Sequence, residues 1–152
     1  MANNKNFAAK VLSAFALIAA GMLIAATLAP SASRARQRNL DKSLERVTDH
    51  GVFRIQLKSG LDSIQISKVH QWSLHIFGAD GVPITGASIV VDGGMPEHGH
   101  GLPTAPRAAS ADGPGNYVIN GMKFSMTGWW VLKLDVKATD GRTDTITFNV
   151  VL

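Results

Sequence analysis

Two histidines stand close together in a stretch that is otherwise rich in glycine and proline. The stretch is GGMPEHGHGLPTAP, residues 93–106, and its histidines are His98 and His100. In an extended segment, residues two positions apart point to the same side, and their Cα atoms lie about 6.5–7 Å apart. Two imidazoles at that spacing can close onto one ion, and Gly99 between them lets the backbone bend. The spacing therefore predicts a metal site.

Two methionines extend the candidate ligand set. Met95 lies in the same stretch, and Met126 stands just before Gly128 at the end of an expected strand. Thioethers are soft ligands suited to Cu(I), and imidazole suits copper in either oxidation state. Because the chain has no cysteine, this set predicts copper more than zinc. The alternative is a solvated loop whose histidines cap turns, with methionines that fill gaps in the core.

The elements that position these residues are short runs of alternating apolar residues after Gly51, separated by turn residues. This pattern is typical of an all-β sandwich. We predict an antiparallel two-layer sandwich over residues 51–152, with Trp72 and Trp130 buried and Asp140-Gly141 in a hairpin connection. About seven strands are expected: VFRIQL, DSIQIS, QWSLHIF, ASIVVD, NYVINGMKF, WWVLKLDVKA and DTITFNVV.

A long stretch from Gly93 to Gly115 interrupts this alternation. Loops longer than about 12–15 residues in compact domains tend to be functional or disordered. We therefore predict a functional loop at one end of the sandwich. His70 precedes the Trp72 strand and could lie at that same end, whereas His75 is expected to be an exposed strand residue.

The N-terminal part of the chain has a different composition. Residues 1–10 form a short tail, and residues 11–29, VLSAFALIAAGMLIAATLA, carry no charge. Their length matches the roughly 20 residues that cross a bilayer core, so they predict one transmembrane helix or signal anchor. A cleaved signal peptide is the alternative. Residues 30–50 are a basic linker, in which residues 39–49 have the apolar spacing of a short helix.

The flanking charges bear on orientation and on partners. Arg34, Arg36 and Arg38 favour a cytoplasmic location for the segment after the span, but the basic N-terminal tail favours export of residues 51–152. We expect a single-pass protein of the bacterial inner membrane with its soluble domain in the periplasm. Residues 51–152 carry eight charges of each sign, so no nucleic-acid partner is predicted. No enzyme is predicted either, because the chain has no nucleophile elbow, phosphate loop or HExxH motif.

Three stretches in order resemble the YtkA-like and FixH-like group of small exported or membrane-anchored bacterial domains, some of which are labelled auxin-binding proteins. They are HQW, then DGVPITGASIVVDGGMPEHGHGLPTAP, then GPGNYVINGMKFSMTGWWVLKLDV, within residues 70–136. The resemblance implies an immunoglobulin-like β-sandwich outside the cytoplasmic membrane. It implies links to copper handling or to respiratory oxidase assembly. It also places Met95, His98, His100 and Met126 at the His/Met positions of the group's motif.

Two hypotheses of different class follow. In the first, the domain is a membrane-tethered copper-binding module that passes the ion by ligand exchange to a membrane protein partner, such as an oxidase assembly complex. In the second, it is a recognition domain without metal. It would then use an aromatic surface near Trp129 and the Gly/Pro loop to contact a partner protein or a small apolar ligand.

Overall fold

The structure, a computed structural model, describes residues 34–152. Contacts divide the chain into two units, Met1–Leu40 and Asp41–Leu152. The expected tail at residues 1–10 and the expected transmembrane helix at residues 11–29 lie outside the described residues. Within the first unit, residues 34–38 are helical.

No helix within residues 34–152 is long and apolar enough to span a bilayer.

The second unit is an all-β structure of two antiparallel sheets, as the alternating pattern predicts. Its first sheet has the strand order β1-β2-β3-β7-β6, and its second has the order β5-β4-β8-β9. The nine strands of the described chain are β1 (Glu45–Val47), β2 (Phe53–Ser59), β3 (His70–Gly78), β4 (Ser88–Met95), β5 (His100–Gly101), β6 (Arg107–Ser110), β7 (Asn116–Met122), β8 (Trp129–Lys137) and β9 (Thr143–Val151).

The core lies between the two sheets and takes every second residue from the long strands. Trp72 on β3 and Trp130 on β8 are both buried, which confirms the prediction from the alternation. Deleting one of these indoles would cost about 3–5 kcal/mol of stability. The other large, fully buried side chains include Phe53, Ile55, Leu74, Ile76, Ile119, Leu132 and Phe148.

Six of the seven predicted strands are present, and the hairpin at Asp140-Gly141 joins β8 to β9. The prediction of a strand at DSIQIS, residues 62–67, is wrong. Ser67 has a φ of 62°, which a strand cannot accommodate. Its N–H instead donates to the carbonyl of Phe124, so this segment crosses one end of the sandwich rather than joining a sheet.

Two further expectations about the connections need correction. Residues 39–49 do not form a helix, because Glu45–Val47 pairs with β2 as an edge strand. The compact unit correspondingly begins at Asp41 rather than at residue 51. The stretch from Gly93 to Gly115 is not one long loop, since it contains the end of β4 and the short strands β5 and β6. In both places pairing with a neighbouring strand overrides the local pattern.

Asp144 on β9 holds the turn that joins β1 to β2 against the opposite sheet. Its buried carboxylate accepts hydrogen bonds from the backbone N–H groups of His50, Val52 and Thr145, and the Nδ1 atom of His50 lies 2.8 Å from Oδ1. Burial by itself would raise the pKa of Asp144. The hydrogen bonds from Thr48, His50 and the backbone outweigh that effect and hold its pKa well below the ordinary value. The hydrogen bond between the side chains of His50 and Asp144 also raises the pKa of His50.

These two shifts predict how stability depends on pH. The contribution of Asp144 is present above its ordinary pKa of 3.8 and is lost as the pH falls through its lowered pKa. The contribution of His50 is present below its ordinary pKa of 6.5 and is lost as the pH rises through its raised pKa. The interaction between Asp144 and His50 should therefore stabilise the domain most between pH 3.8 and pH 6.5, the two ordinary pKa values.

We expect Asp144→Asn to lower the free energy of unfolding by about 2 kcal/mol, because an amide NH₂ would face backbone donors in place of a carboxylate oxygen. Melting temperatures of the parent and the variant, measured from pH 3 to pH 9, check this. The difference between them should be largest near pH 5 and smaller at both ends. A difference that does not change with pH would contradict the assignment.

Candidate functional site

A tight hairpin between β4 and β5 carries both candidate histidines. The carbonyl oxygen of Met95 accepts hydrogen bonds from the N–H groups of His98 and Gly99, at 3.1 and 2.9 Å. His98 therefore lies in the turn, and His100 begins β5 directly opposite Met95. The segment GMPEHGHG forms this turn because the carbonyl of Met95 accepts hydrogen bonds from two backbone N–H groups, those of His98 and Gly99.

Gly94 allows the two strands of the hairpin to approach closely. A Cβ at this position would overlap the carbonyl oxygen of His100 and would lie 2.8 Å from the Cα of Gly101. Both obstacles are backbone atoms, so they cannot move aside without shifting β5. The glycine is thus a positioning residue for the histidine pair.

The rings of His98 and His100 lie side by side, with their centroids 5.8 Å apart and their planes inclined by 31°. Both residues are exposed. With a metal–nitrogen distance of about 2 Å, two imidazoles can share one ion when their centroids are up to about 6 Å apart. The pair is therefore close enough to hold a single metal ion.

Trp130 forms the floor beneath His100. The two rings meet edge to face with centroids 6.1 Å apart, and Phe124 packs on the indole at 5.3 Å. The indole Nε1 of Trp130 donates a hydrogen bond to the carbonyl oxygen of Met126. The buried tryptophan thus joins the histidine hairpin to the segment that carries Met126.

The two candidate methionines have different environments. Met95 is 1% exposed and belongs to the core, and its methyl group lies against Gly128. Met126 is 41% exposed. The structure thus places Met95 opposite His100 but inside the sandwich, whereas Met126 joins the cluster at its surface through Trp130. Of these two methionines, only Met126 has a side chain exposed to solvent.

Charged groups contribute little to this cluster. Within residues 34–152 no three His, Asp or Glu side chains converge as a metal-binding group. A site at this hairpin would therefore rest on the imidazoles of His98 and His100. A groove of about 460 Å³ runs alongside the hairpin and is lined in part by Asp92, Met95, His100 and Lys133.

Other residues differ from the sequence-based expectations. Trp129 is only 8% exposed, and its Nε1 donates to Asn149, so no aromatic surface forms around it. His75 is half-buried and stacks on Phe77 at 4.1 Å rather than projecting into solvent. His70 lies at the same end as the histidine hairpin, because its ring contacts Phe124.

Comparison with known proteins identifies the family to which this chain belongs. A family model described as YtkA-like matches residues 49–135, more than half of the chain. The chain belongs to the YtkA-like family. The matched region of this YtkA-like protein includes the histidine hairpin and Met126, and the resemblance noted in the sequence is confirmed.

The fold of the YtkA-like domain is similar to that of a solved protein. The crystal structure of a DUF4426 family protein from Pseudomonas aeruginosa superposes with a TM-score of 0.52 at 17% sequence identity. The match covers 71% of this chain and 96% of that one. At this identity the likeness extends to the fold alone. No curated protein is significantly similar to the chain in sequence.

We expect Gly94→Ala to displace β5 and separate the two histidines, at a cost of about 1–3 kcal/mol in stability from overpacking. Imidazole NMR signals of His98 and His100 should shift in this variant. Gly141→Ala is the control, because no atom lies within 4 Å of a Cβ added there and only its φ of 90° makes alanine unfavourable. The control should lose about 1 kcal/mol and leave those signals in place. Unchanged signals in Gly94→Ala would contradict the positioning role.

Proposed function

We propose that this YtkA-like protein is a membrane-anchored periplasmic module that binds copper at His98 and His100. The observation that carries the proposal is the pair of exposed imidazoles, 5.8 Å apart at the tip of a glycine-restrained hairpin. A restrained backbone lowers the entropy cost of bringing two ligands onto one ion. Exposure leaves the ion open to exchange.

The donor set favours copper over harder metals. Mg²⁺ and Ca²⁺ prefer oxygen ligands, and no group of three or more His, Asp or Glu side chains is gathered within residues 34–152. Imidazole binds copper in both oxidation states, and the exposed thioether of Met126 would favour Cu(I). In this proposal Met126 completes the site from the surface, while Met95 supports His100 from the core.

The proposed role is transfer rather than catalysis. Two or three ligands at an exposed turn leave coordination positions to which a partner's ligand can add before a protein ligand leaves. We propose a membrane protein as recipient, such as a respiratory oxidase assembly complex, with the anchor at residues 11–29 holding the domain at the cytoplasmic membrane. No nucleic-acid partner and no enzymatic activity are part of this proposal.

We also infer that the sandwich is immunoglobulin-like. The order β2-β3-β7-β6 corresponds to strands A-B-E-D of such domains, and β9-β8-β4 corresponds to G-F-C. In this assignment β5 is an additional short strand beside C. The histidine hairpin then occupies the edge of one sheet, where a partner can approach it.

A titration of the full chain with Cu(II) tests the metal site. Cu(II) suits imidazole better than thioether, so this oxidation state reports on the histidine pair. We expect one equivalent to bind to the parent at micromolar concentration, and none to bind to the double variant His98→Ala with His100→Ala. The metal-free melting temperature should change little, because exposed substitutions usually alter stability by about 0.5 kcal/mol or less.

His75→Ala provides the control for loss of an imidazole elsewhere on the sandwich. It should bind the same single equivalent as the parent. If the double variant binds Cu(II) as well as the parent, the hairpin is not the site. If the parent binds none, the proposal of a copper module at this hairpin is wrong.

The location of the domain requires a separate measurement. We expect a periplasmic reporter fused after Leu152 to be active, and a cytoplasmic reporter fused at the same position to be inactive. The reverse pattern would mean that Arg34, Arg36 and Arg38 determine the orientation through the positive-inside rule. In that case the copper module would face the cytoplasm.

A groove supports the second candidate function, recognition of a ligand without metal. It has a volume of about 940 Å³ and lies on the first sheet, between β1 and the segment around Asp112. His75 lines it, and the Nε2 atom of that ring is buried without a hydrogen-bond partner. A small ligand in this groove would contact the ring of His75. Ligand binding that His75→Ala abolishes, in a chain that binds no copper, would favour this function.

A further inference from the structure

His70 is a buried histidine with one nitrogen satisfied and the other not. The residue is 7% exposed, and its Nδ1 atom lies 3.1 Å from the carbonyl oxygen of Lys68. A carbonyl only accepts hydrogen bonds, so Nδ1 carries the ring proton and Nε2 carries the lone pair. That Nε2 atom is buried and has no hydrogen-bond partner. Buried polar groups usually have one.

A methionine is paired with this histidine across the strands. His70 on β3 is the direct cross-strand partner of Met122 on β7, and Met122 is fully buried. Residues opposite one another in an antiparallel pair have Cβ atoms about 4.5–5.5 Å apart on the same face. Both side chains therefore enter the same part of the core.

An irregularity in the strand pairing creates this alignment. The register between β3 and β7 shifts between His70 and Trp72, and Gly121, just before Met122, has a φ of 82°. Such bulges redirect a side chain and are frequent beside functional sites. Without the shift, His70 would not lie opposite Met122.

The surroundings are aromatic and closed to solvent. The His70 ring centroid lies 5.8 Å from that of Phe124 and 6.4 Å from that of Trp72. A hydrogen bond from the second ring nitrogen to a backbone carbonyl is the arrangement that orients metal-binding histidines in proteins. Here it aims the free lone pair of Nε2 away from Lys68 and into the core.

The same pairing of imidazole and thioether occurs in the opposite sheet. His100 lies opposite Met95 across β4 and β5, as His70 lies opposite Met122. Phe124 contacts both His70 and Trp130, and Trp130 contacts His100. Two histidine–methionine pairs, one from each sheet, are thus connected by the aromatic side chains that close this end of the sandwich.

We propose that Nε2 of His70 and the sulfur of Met122 form a second, buried site for Cu(I). One nitrogen and one thioether sulfur are ligands that suit this soft ion. Aromatic rings such as those of Phe124 and Trp72, which lie near His70, can stabilise a single positive charge. This buried site is separate from the exposed histidine hairpin, and it does not require the hairpin to bind metal. Its burial suits retention of an ion rather than exchange.

An anaerobic titration of the full chain in detergent with Cu(I), in competition with a chromogenic Cu(I) chelator, tests the buried site. We expect two equivalents in the parent and one in either His70→Gln or Met122→Leu. Met122→Leu keeps the side-chain volume, so it tests the sulfur even if His70→Gln fails to fold. His75→Gln is the control: it lies on the same strand, but its partners are Gln56 and Asn116, and it should retain two equivalents.

The variant His98→Ala with His100→Ala separates this proposal from that of the exposed site. It should keep one equivalent of Cu(I), and the imidazole nitrogen signal of His70 should move when that equivalent is added. If the parent binds one equivalent and this double variant binds none, the buried site is wrong and the exposed site stands. If one equivalent is lost only in His70→Gln and Met122→Leu, the buried site stands and the exposed one is wrong. If Met122→Leu still binds two equivalents of Cu(I), the sulfur of Met122 is not a ligand and the proposed site is wrong.

Discussion

The burial of Trp130 between the two sheets is the interaction on which the rest of this end of the molecule depends. The indole belongs to the second sheet, packs on Phe124, and supports His100 from below. Its Nε1 donor also fixes the backbone at Met126. One side chain thus closes the core, supports the histidine hairpin and holds the adjoining loop. A core residue with these contacts links the stability of the fold to the geometry of the site.

The sequence could predict those features whose cause is local. Side-chain alternation identified Trp72 and Trp130 as inward-facing, because consecutive strand residues point to opposite faces whatever the partner strand is. The close spacing of His98 and His100 was likewise a local property, and the tight hairpin preserved it. The family resemblance was recognisable for the same reason, since it depends on continuous stretches of residues.

Features that depend on contact between separate segments were missed. Residues 39–49 have helical spacing, but Glu45–Val47 forms a strand because it pairs with the neighbouring strand β2. Residues 62–67 alternate like a strand, yet the N–H of Ser67 donates to the carbonyl of Phe124, far along the chain. The position of His70 opposite Met122 arises from a register shift that no single segment encodes. The burial of Met95 likewise depends on a distant segment, because its methyl group lies against Gly128.

The two proposed sites, the exposed imidazoles of His98 and His100 and the buried pair of His70 and Met122, differ mainly in their access to solvent, and this difference determines what each could do. An ion on the exposed imidazoles would keep part of its hydration shell, so a partner's ligand could replace water at little cost. An ion between His70 and Met122 would be fully dehydrated, and it could leave only if the aromatic side chains around it moved. Because protein interiors are close-packed, that movement requires local opening of the core. A metal bound at the proposed hairpin site would therefore exchange on contact with a partner, whereas a metal at the proposed core site would exchange only as fast as this end of the sandwich opens.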